Sequence, residues 1–320
     1  MAKYPGSMYT VGMGIKKNLK WALVLSGGGA KGLAHVGFLK GLSRLGYPEP
    51  SLVAGTSMGA VVGGVYASGM PVEEIVRFTE DEFDITRYLD SFVFKLGGPV
   101  GKFLQAGQLL GNLMAKPGVD SGKELLALLR RLTRNRTFEE ARIPFRCNAV
   151  DLTNGKEVIF DSGNMAEAIR ASMGFPVFFE PVLMGGMCLV DGGVADNMPV
   201  HIAGRMGFKR ILAVDVGEFK NKKAADLASA PKILYRCLEI VLQRMHRQKQ
   251  EYSADLVISA SNKASFLSFD RKRELIELGE QAVRDNEKAL AAFFGRGPRS
   301  YLIRKRLKKK SLAQYRNRGP

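Results

Sequence analysis

Trp21-Ala22-Leu23-Val24-Leu25-Ser26-Gly27-Gly28-Gly29-Ala30-Lys31-Gly32 runs an apolar strand straight into a glycine loop, and Leu52-Val53-Ala54-Gly55-Thr56-Ser57-Met58-Gly59 does so a second time. The second stretch contains a G-x-S-x-G turn. Its flanking glycines let a strand bend sharply into a helix and leave the serine hydroxyl exposed at the bend. In the first stretch the closely spaced glycines bare backbone N–H groups that can face a negative charge. An exposed serine beside a bare-backbone anion site is what an acyl-transfer hydrolase needs.

Outward from these two turns, short apolar strands alternate with helical stretches. Strands are expected at Trp21–Leu25, Leu52–Ala54, Met187–Val190, Lys209–Val214 and Asp255–Ser259. Helices are expected over Lys31–Leu45, Ser57–Ser68, Glu73–Asp81, Ser121–Leu132, Asn164–Ser172, Lys232–Lys249 and Arg271–Phe294. Such alternation indicates parallel strands joined by right-handed crossovers. Pro144–Thr153 and Glu157–Asp161 read as a hairpin about Asn154-Gly155, a strong turn signal. The aromatic and glycine-rich stretch Phe83–Gly118 breaks the pattern, as a cap over an acyl-chain groove or as an ordinary packed subdomain. Phe175–Pro181 reads as a proline-constrained core segment, with a place in the lining of that groove as the alternative.

The chain has 320 residues and a formal net charge of +17. Residues 296–320 hold ten Lys and Arg and no Asp or Glu, so they supply +10 of the +17 and the body is only mildly basic. This stretch reads as a flexible basic tail, with contact to an anionic membrane surface as its functional alternative. It carries no recognised nucleic-acid module, so no specific nucleic acid is expected as a partner. The three cysteines, Cys147, Cys188 and Cys237, are scattered and odd in number. They suit small buried groups in a reducing compartment better than a disulfide framework. Met1–Lys20 has no apolar core of a signal peptide, so a cytoplasmic protein is expected, in peripheral contact with the inner membrane surface at most. Pro50–Val72 is uncharged and long enough to cross a bilayer, but it contains the serine turn and is broken by proline and glycine. It reads as a buried strand-turn-helix.

A serine hydroxyl near neutral pH needs a positioned base. Of the three histidines, His35 falls one turn inside a helix and His246 on a polar helix face, which leaves His201. It follows Asp191 and would complete a Ser…Asp…His order. The alternative base is Asp191 itself, which ends the apolar strand Cys188-Leu189-Val190 and is followed by Gly192-Gly193. Partial burial would raise its pKa and make it a better base in a two-residue Ser–Asp dyad. A dinucleotide fingerprint is the competing reading of the glycine loop, but Glu49 lies between two prolines before the second strand rather than at its end. A P-loop is excluded, because no Gly-Lys-Ser/Thr follows.

Gly27-Gly28-Gly29-Ala30-Lys31-Gly32, Gly55-Thr56-Ser57-Met58-Gly59 and Asp191-Gly192-Gly193 occur in the order and spacing of the patatin-like phospholipase family, and the chain resembles its bacterial members. Ala171-Ser172-Met173-Gly174-Phe175-Pro176 and Asn197-Met198-Pro199 fit as secondary blocks. The resemblance covers roughly residues 20–215. It implies a three-layer α/β/α fold with a mostly parallel central sheet, Ser57 as nucleophile and Asp191 as its base. Gly27, Gly28 and Gly29 would supply oxyanion-hole amides, joined by the amide of Met58 under the general rule for the residue after the nucleophile. Lys31, Gly32, Gly55, Gly59, Gly192 and Gly193 would support the motifs. The implied substrates are phospholipids, lysophospholipids or other fatty acyl esters, hydrolysed without metal or organic cofactor. The expected organisation is an extension over 1–19, the core over 20–215, an α/β part over 216–295 packing on the same domain, and the basic tail over 296–320. Two rival functions remain at this level: a histidine triad through His201, and a lipid-binding regulatory module without catalysis.

Overall fold

The structure, a computed structural model, describes residues 19–88, 118–217, 223–227, 233, 236–237, 240, 254–261 and 268–317. β1 (Ala22–Leu25) leads through a 3-10 turn into α1 (Ala34–Arg44), and β2 (Leu52–Gly55) turns into α2 (Met58–Ala67). α3 (Val72–Arg77), β3 (Gly118–Asp120), α4 (Lys123–Leu132), β4 (Phe145–Asp151) and β5 (Lys156–Phe160) follow. Next come α5 (Met165–Ser172), β6 (Val177–Phe179), β7 (Val182–Met184), β8 (Met187–Asp191) and α6 (Val200–Arg205). β9 (Ile211–Asp215), β10 (Leu256–Ser259), α7 (Lys272–Asp285), α8 (Glu287–Phe294) and α9 (Gly297–Asn317) complete the described elements.

The main sheet has eight strands, in the path β10-β9-β1-β2-β4-β8-β7 with β5 pairing β4 beside it. The pairs from β10 to β4 are parallel, whereas β4–β8, β8–β7 and β4–β5 are antiparallel. Alternate residues of a strand face opposite sides of a sheet. Leu23 and Leu25 thus enter a large core with α1, α2, α5 and α7, while Ala22 and Val24 enter a smaller one with Val200 and Ile202 of α6. The two cores give the three-layer arrangement, and burial on both faces explains why β1 and β2 read as unbroken apolar runs.

How β4 is flanked decides where the site forms. Cys147 has Gly55 of β2 on one side and Phe160 of β5 on the other. Two positions further along, Ala149 has Val158 of β5 on that same other side and Asp191 of β8 on the side β2 has vacated. β2 therefore leaves the edge of β4 at Gly55, and β8 arrives from the opposite direction to take it over. The ends of the two strands meet head to head.

The hairpin about Asn154-Gly155 forms as read, and Asn164 caps α5 by accepting the N–H groups of Ala166 and Glu167. Several expectations need correction. Arg271–Phe294 is two helices, α7 and α8, separated at Asn286, whose φ of −111° leaves the helical range. Phe175–Pro181 contributes β6, which pairs in parallel with β3 in a second, two-stranded sheet. The basic segment is not a loose tail but the helix α9. Arg304 donates to the carbonyls of Ala292 and Gly295, and Lys308 pairs with Asp255 at 3.1 Å. Asp255 precedes β10, so α9 lies at the N-terminal end of the parallel strands. Most of the helix expected over 232–249 and most of the Phe83–Gly118 stretch lie outside the described residues.

α1 and α7 pack backbone to backbone through two glycines. A Cβ on Gly37 would collide with the Ile276 carbonyl oxygen, and one on Gly279 with that of Ala34. Because both obstacles are main chain, an added methyl must force the helices apart. Gly279→Ala is expected to lower unfolding free energy by about 2–4 kcal/mol, measured by urea denaturation. A loss below about 0.5 kcal/mol would contradict this contact.

Candidate active site

Ser57 sits between β2 and α2 with φ 53° and ψ −124°, a conformation that strains any residue with a side chain. The elbow keeps this shape because α2 rises tightly over the strands. A Cβ on Gly59 would strike the Leu25 carbonyl, and one on Gly55 would strike the Gly59 carbonyl. The Ser57 N–H donates to Ser172 Oγ at 3.1 Å, which ties the bend to the end of α5. Ser57 itself is 8% exposed.

Asp191, 2% exposed, reaches Ser57 from the end of β8. Its carboxylate accepts the Gly193 N–H at 2.7 Å. Burial pushes its pKa up to about 6 against the opposing effect of the Ser57 side chain and the Gly193 N–H. The carboxylate is thus desolvated and held against the hydroxyl, poised to take a proton near neutral pH.

The glycine loop flanks this pair. Gly27 exchanges two bonds with Asn197: its N–H donates to the Asn197 carbonyl at 2.9 Å, and Asn197 Nδ2 donates to the Gly27 carbonyl at 3.1 Å. The Gly27 amide is therefore engaged, and its expected place as an oxyanion donor is corrected. The glycine keeps the loop close to the elbow instead, since a Cβ there would approach Ser57 Cβ at 3.1 Å. Gly28 and Gly29 form the start of the 3-10 turn, and Met58 is the first residue of α2. Among the described residues no acceptor is seen for the N–H groups of these three. Gly32 lies against the Met58 side chain, Gly192 against the Asn148 carbonyl, and Lys31 in the 3-10 turn.

The histidine alternative is corrected. His201 Nδ1 is 3.0 Å from Asp196 Oδ2 and Nε2 is 3.3 Å from Glu157 Oε2, so both ring nitrogens are turned to carboxylates other than Asp191. Burial alone would lower its pKa, but the hydrogen bonds and charges of Asp196 and Glu157 outweigh that and raise it to about 9. A histidine already protonated at neutral pH has no lone pair with which to act as a base. His35 is fully buried, with Nε2 2.8 Å from the Ser26 carbonyl and a pKa pushed down to about 4 by burial, as suits a neutral core residue. His246 lies outside the described residues.

Strand ends, elbow, glycine loop and Asp motif thus converge at the C-terminal ends of β1 and β2. The family model for patatin-like phospholipase matches residues 23–203, a span that contains all of them. The chain belongs to the patatin-like phospholipase family. Lysophospholipase NTE1 of Lodderomyces elongisporus is 32% identical over 216 residues, covering 66% of this chain and 14% of that protein. An NTE family protein of Mycobacterium bovis is 33% identical over 181 residues, covering 56% of this chain and 44% of its own. This chain thus spans less than half the length of either relative. VipD from Legionella pneumophila shares the fold with a TM-score of 0.52 at 15% identity, over 94% of this chain and 74% of that one.

This patatin-like site also contains residues the motif reading did not single out. Asn148, in the middle of β4, accepts the Thr56 hydroxyl at 2.7 Å and donates to Glu157 at 2.8 Å and to the Asp196 carbonyl at 3.0 Å. Little in the sequence signals it, because β4 also carries Arg146 and Asp151. Among the described residues no group of three or more His, Cys, Asp or Glu is placed to hold a metal ion, and no helix is long and apolar enough to cross a membrane.

The raised pKa of Asp191 has a consequence for stability. The folded protein binds this proton more tightly than the unfolded chain, whose carboxyl titrates near 3.8, so stability falls as pH rises from about 4 to about 6. Above pH 6 the buried charge costs about 2–3 kcal/mol. Asp191→Asn is therefore expected to be more stable than the wild type at pH 7.5 and to lose that advantage at pH 4, read from urea midpoints at the two pH values.

Proposed function

We propose that this chain hydrolyses fatty acyl esters of phospholipids, lysophospholipids or related lipids through a Ser57–Asp191 dyad and an acyl-enzyme. The observation that carries the reading is the strained Ser57 at the end of β2 set against the buried carboxylate of Asp191, whose pKa is raised to about 6. Ser57 Oγ attacks the acyl carbonyl carbon and its proton passes to Asp191. The oxyanion that forms faces the N–H groups of Gly28, Gly29 and Met58, the last at the N-terminus of α2, where the helix dipole also favours negative charge. Collapse of the tetrahedral species expels the alcohol, which takes the proton from Asp191 and leaves the acyl group on Ser57. Water then gives a proton to Asp191, attacks the acyl carbonyl, and the fatty acid departs as Ser57 regains its proton.

The fatty character of the substrate is supported by an apolar cavity of about 60 Å³ beside the elbow. Met58, Val61, Val65, Phe78, Leu128 and Met173 are among the residues that line it. Met58 follows the nucleophile and Met173 follows Ser172, so the cavity begins where an acyl chain on Ser57 would point. The name of the relative from Lodderomyces elongisporus, a lysophospholipase, agrees with this substrate class. The basic helix α9 is at the other end of the sheet. A lipid surface bound through it would not meet the mouth of the site, so its placement lends no support to the expected membrane contact.

Incubation with a fluorophosphonate probe and mass mapping should place the label on Ser57. Ser57→Ala should abolish labelling, and Asp191→Asn should slow it by at least about 10³-fold. Labelling elsewhere, or unchanged in Asp191→Asn, would sink the dyad. The kcat/KM for a lysophospholipid should rise with pH through about 6, as Asp191 loses its proton. Val61→Phe, which fills part of the cavity, should shift preference toward shorter acyl chains in a hydrolysis series from C6 to C16. A uniform loss at every length would place the chain elsewhere.

A further inference from the structure

On β4, Cys147 and Asn148 face opposite sides of the sheet. Cys147 enters the large core shared with α2 and α5, whereas Asn148 points toward the layer that contains α6 and His201. Behind Ser57 and Asp191, on this far face, lies a continuous polar network that is buried except at half-buried Glu157. His201 Nδ1 meets Asp196 Oδ2 at 3.0 Å, and its Nε2 faces Glu157 Oε2 at 3.3 Å, a contact nearer to an ion pair than to a well-aligned hydrogen bond. The second oxygen of Glu157 accepts Asn148 Nδ2 at 2.8 Å, and the carbonyl of Asp196 accepts both Asn148 Nδ2 at 3.0 Å and Thr56 Oγ1 at 3.1 Å. Asn148 Oδ1 takes the Thr56 hydroxyl at 2.7 Å, and its Nδ2 lies 3.4 Å from the Gly192 carbonyl. Thr56 immediately precedes Ser57, and Gly192 immediately follows Asp191.

Both ring nitrogens of His201 face carboxylate oxygens, and only an imidazolium has a proton for each. A neutral ring would turn a lone pair onto one of two carboxylates, buried Asp196 or half-buried Glu157, and leave their repulsion unscreened. We propose that His201, as an imidazolium, is a positioning residue for the Ser57–Asp191 pair: it clamps Asp196 and Glu157, and through Asn148 that clamp holds Thr56 and Gly192 in register. This inference rests on the dyad reading above. The charged groups around His201 are Asp196 from the loop after the Asp motif and Glu157 from β5. The strands under α6 present Ala54, Leu52 and Ala213, which are apolar. The raised pKa of about 9 agrees with an imidazolium at neutral pH.

The test is the pH dependence of fluorophosphonate labelling of Ser57 in the full chain, for wild type, Glu157→Gln and His201→Gln, with lysophospholipid turnover followed separately. The wild-type rate should rise through about pH 6 with Asp191 and fall through about pH 9 as His201 loses its proton. Glu157→Gln keeps an oxygen for Asn148 but removes one charge facing His201. Its alkaline limb should move down by roughly one pH unit with the acid limb unchanged. His201→Gln should label about tenfold more slowly at pH 7.5 and lose the alkaline limb. An alkaline limb at the same pH in Glu157→Gln would overturn the proposal even if His201→Gln failed to fold, and so would a wild-type profile flat to pH 10. Ser57 labelling with the expected profiles but without lipid turnover would refute the substrate reading and leave the positioning role standing. A wild type that does not label would overturn both.

Discussion

The edge of β4 is shared between two strands, and the rest of the site depends on that exchange. β2 stays on it only as far as Gly55, and β8 takes it over from Asp191. An antiparallel strand entering the end of a parallel array brings its own C-terminus against the C-terminus of a parallel neighbour. Ordinarily a serine and an aspartate separated by 134 positions would rely on loops to meet. Here each leaves a rigid hydrogen-bonded strand, so their separation is set by sheet register, with little freedom for either side chain.

The two faces of the sheet near this junction hold opposite electrostatic arrangements. On the elbow side, Asp191 is buried with hydrogen-bond donors but no cation, and its proton affinity rises. On the far side, a buried histidine lies between two carboxylates, and its proton affinity also rises. The same low-polarity interior thus yields a carboxylate ready to accept a proton near neutrality and an imidazolium that holds one well above it. Asn148 separates the two, and its amide satisfies groups from both.

Strain at Ser57 is sustained by close contacts rather than by hydrogen bonding alone. The glycines beside it let α2 approach the ends of β1 and β2, and the bond from Ser57 N–H to Ser172 fixes the bend from a third element. Asn197 closes the arrangement by pairing twice with Gly27. The glycine loop is consequently fastened to the segment that carries Asp191.

The sequence by itself determined the strands of the parallel array, the elbow at Ser57, the glycine loop, the Asp191 turn and the α/β alternation, because apolar period, glycine spacing and turn chemistry are local properties. It also pointed to Asp191 as a buried carboxylate, since a strand end followed by two glycines leaves it little solvent. Only the tertiary structure turned both ring nitrogens of His201 toward carboxylates other than Asp191, because chain order places both residues after Ser57 and says nothing of which way a ring nitrogen faces. The engagement of the Gly27 amide by Asn197, the division of Arg271–Phe294 at Asn286 and the helical state of the basic segment were likewise hidden from local pattern. So was Asn148, one of several polar residues in the mixed strand β4. Its meaning comes from partners 92 and 48 positions away, and such contacts are fixed by how strands align across a sheet.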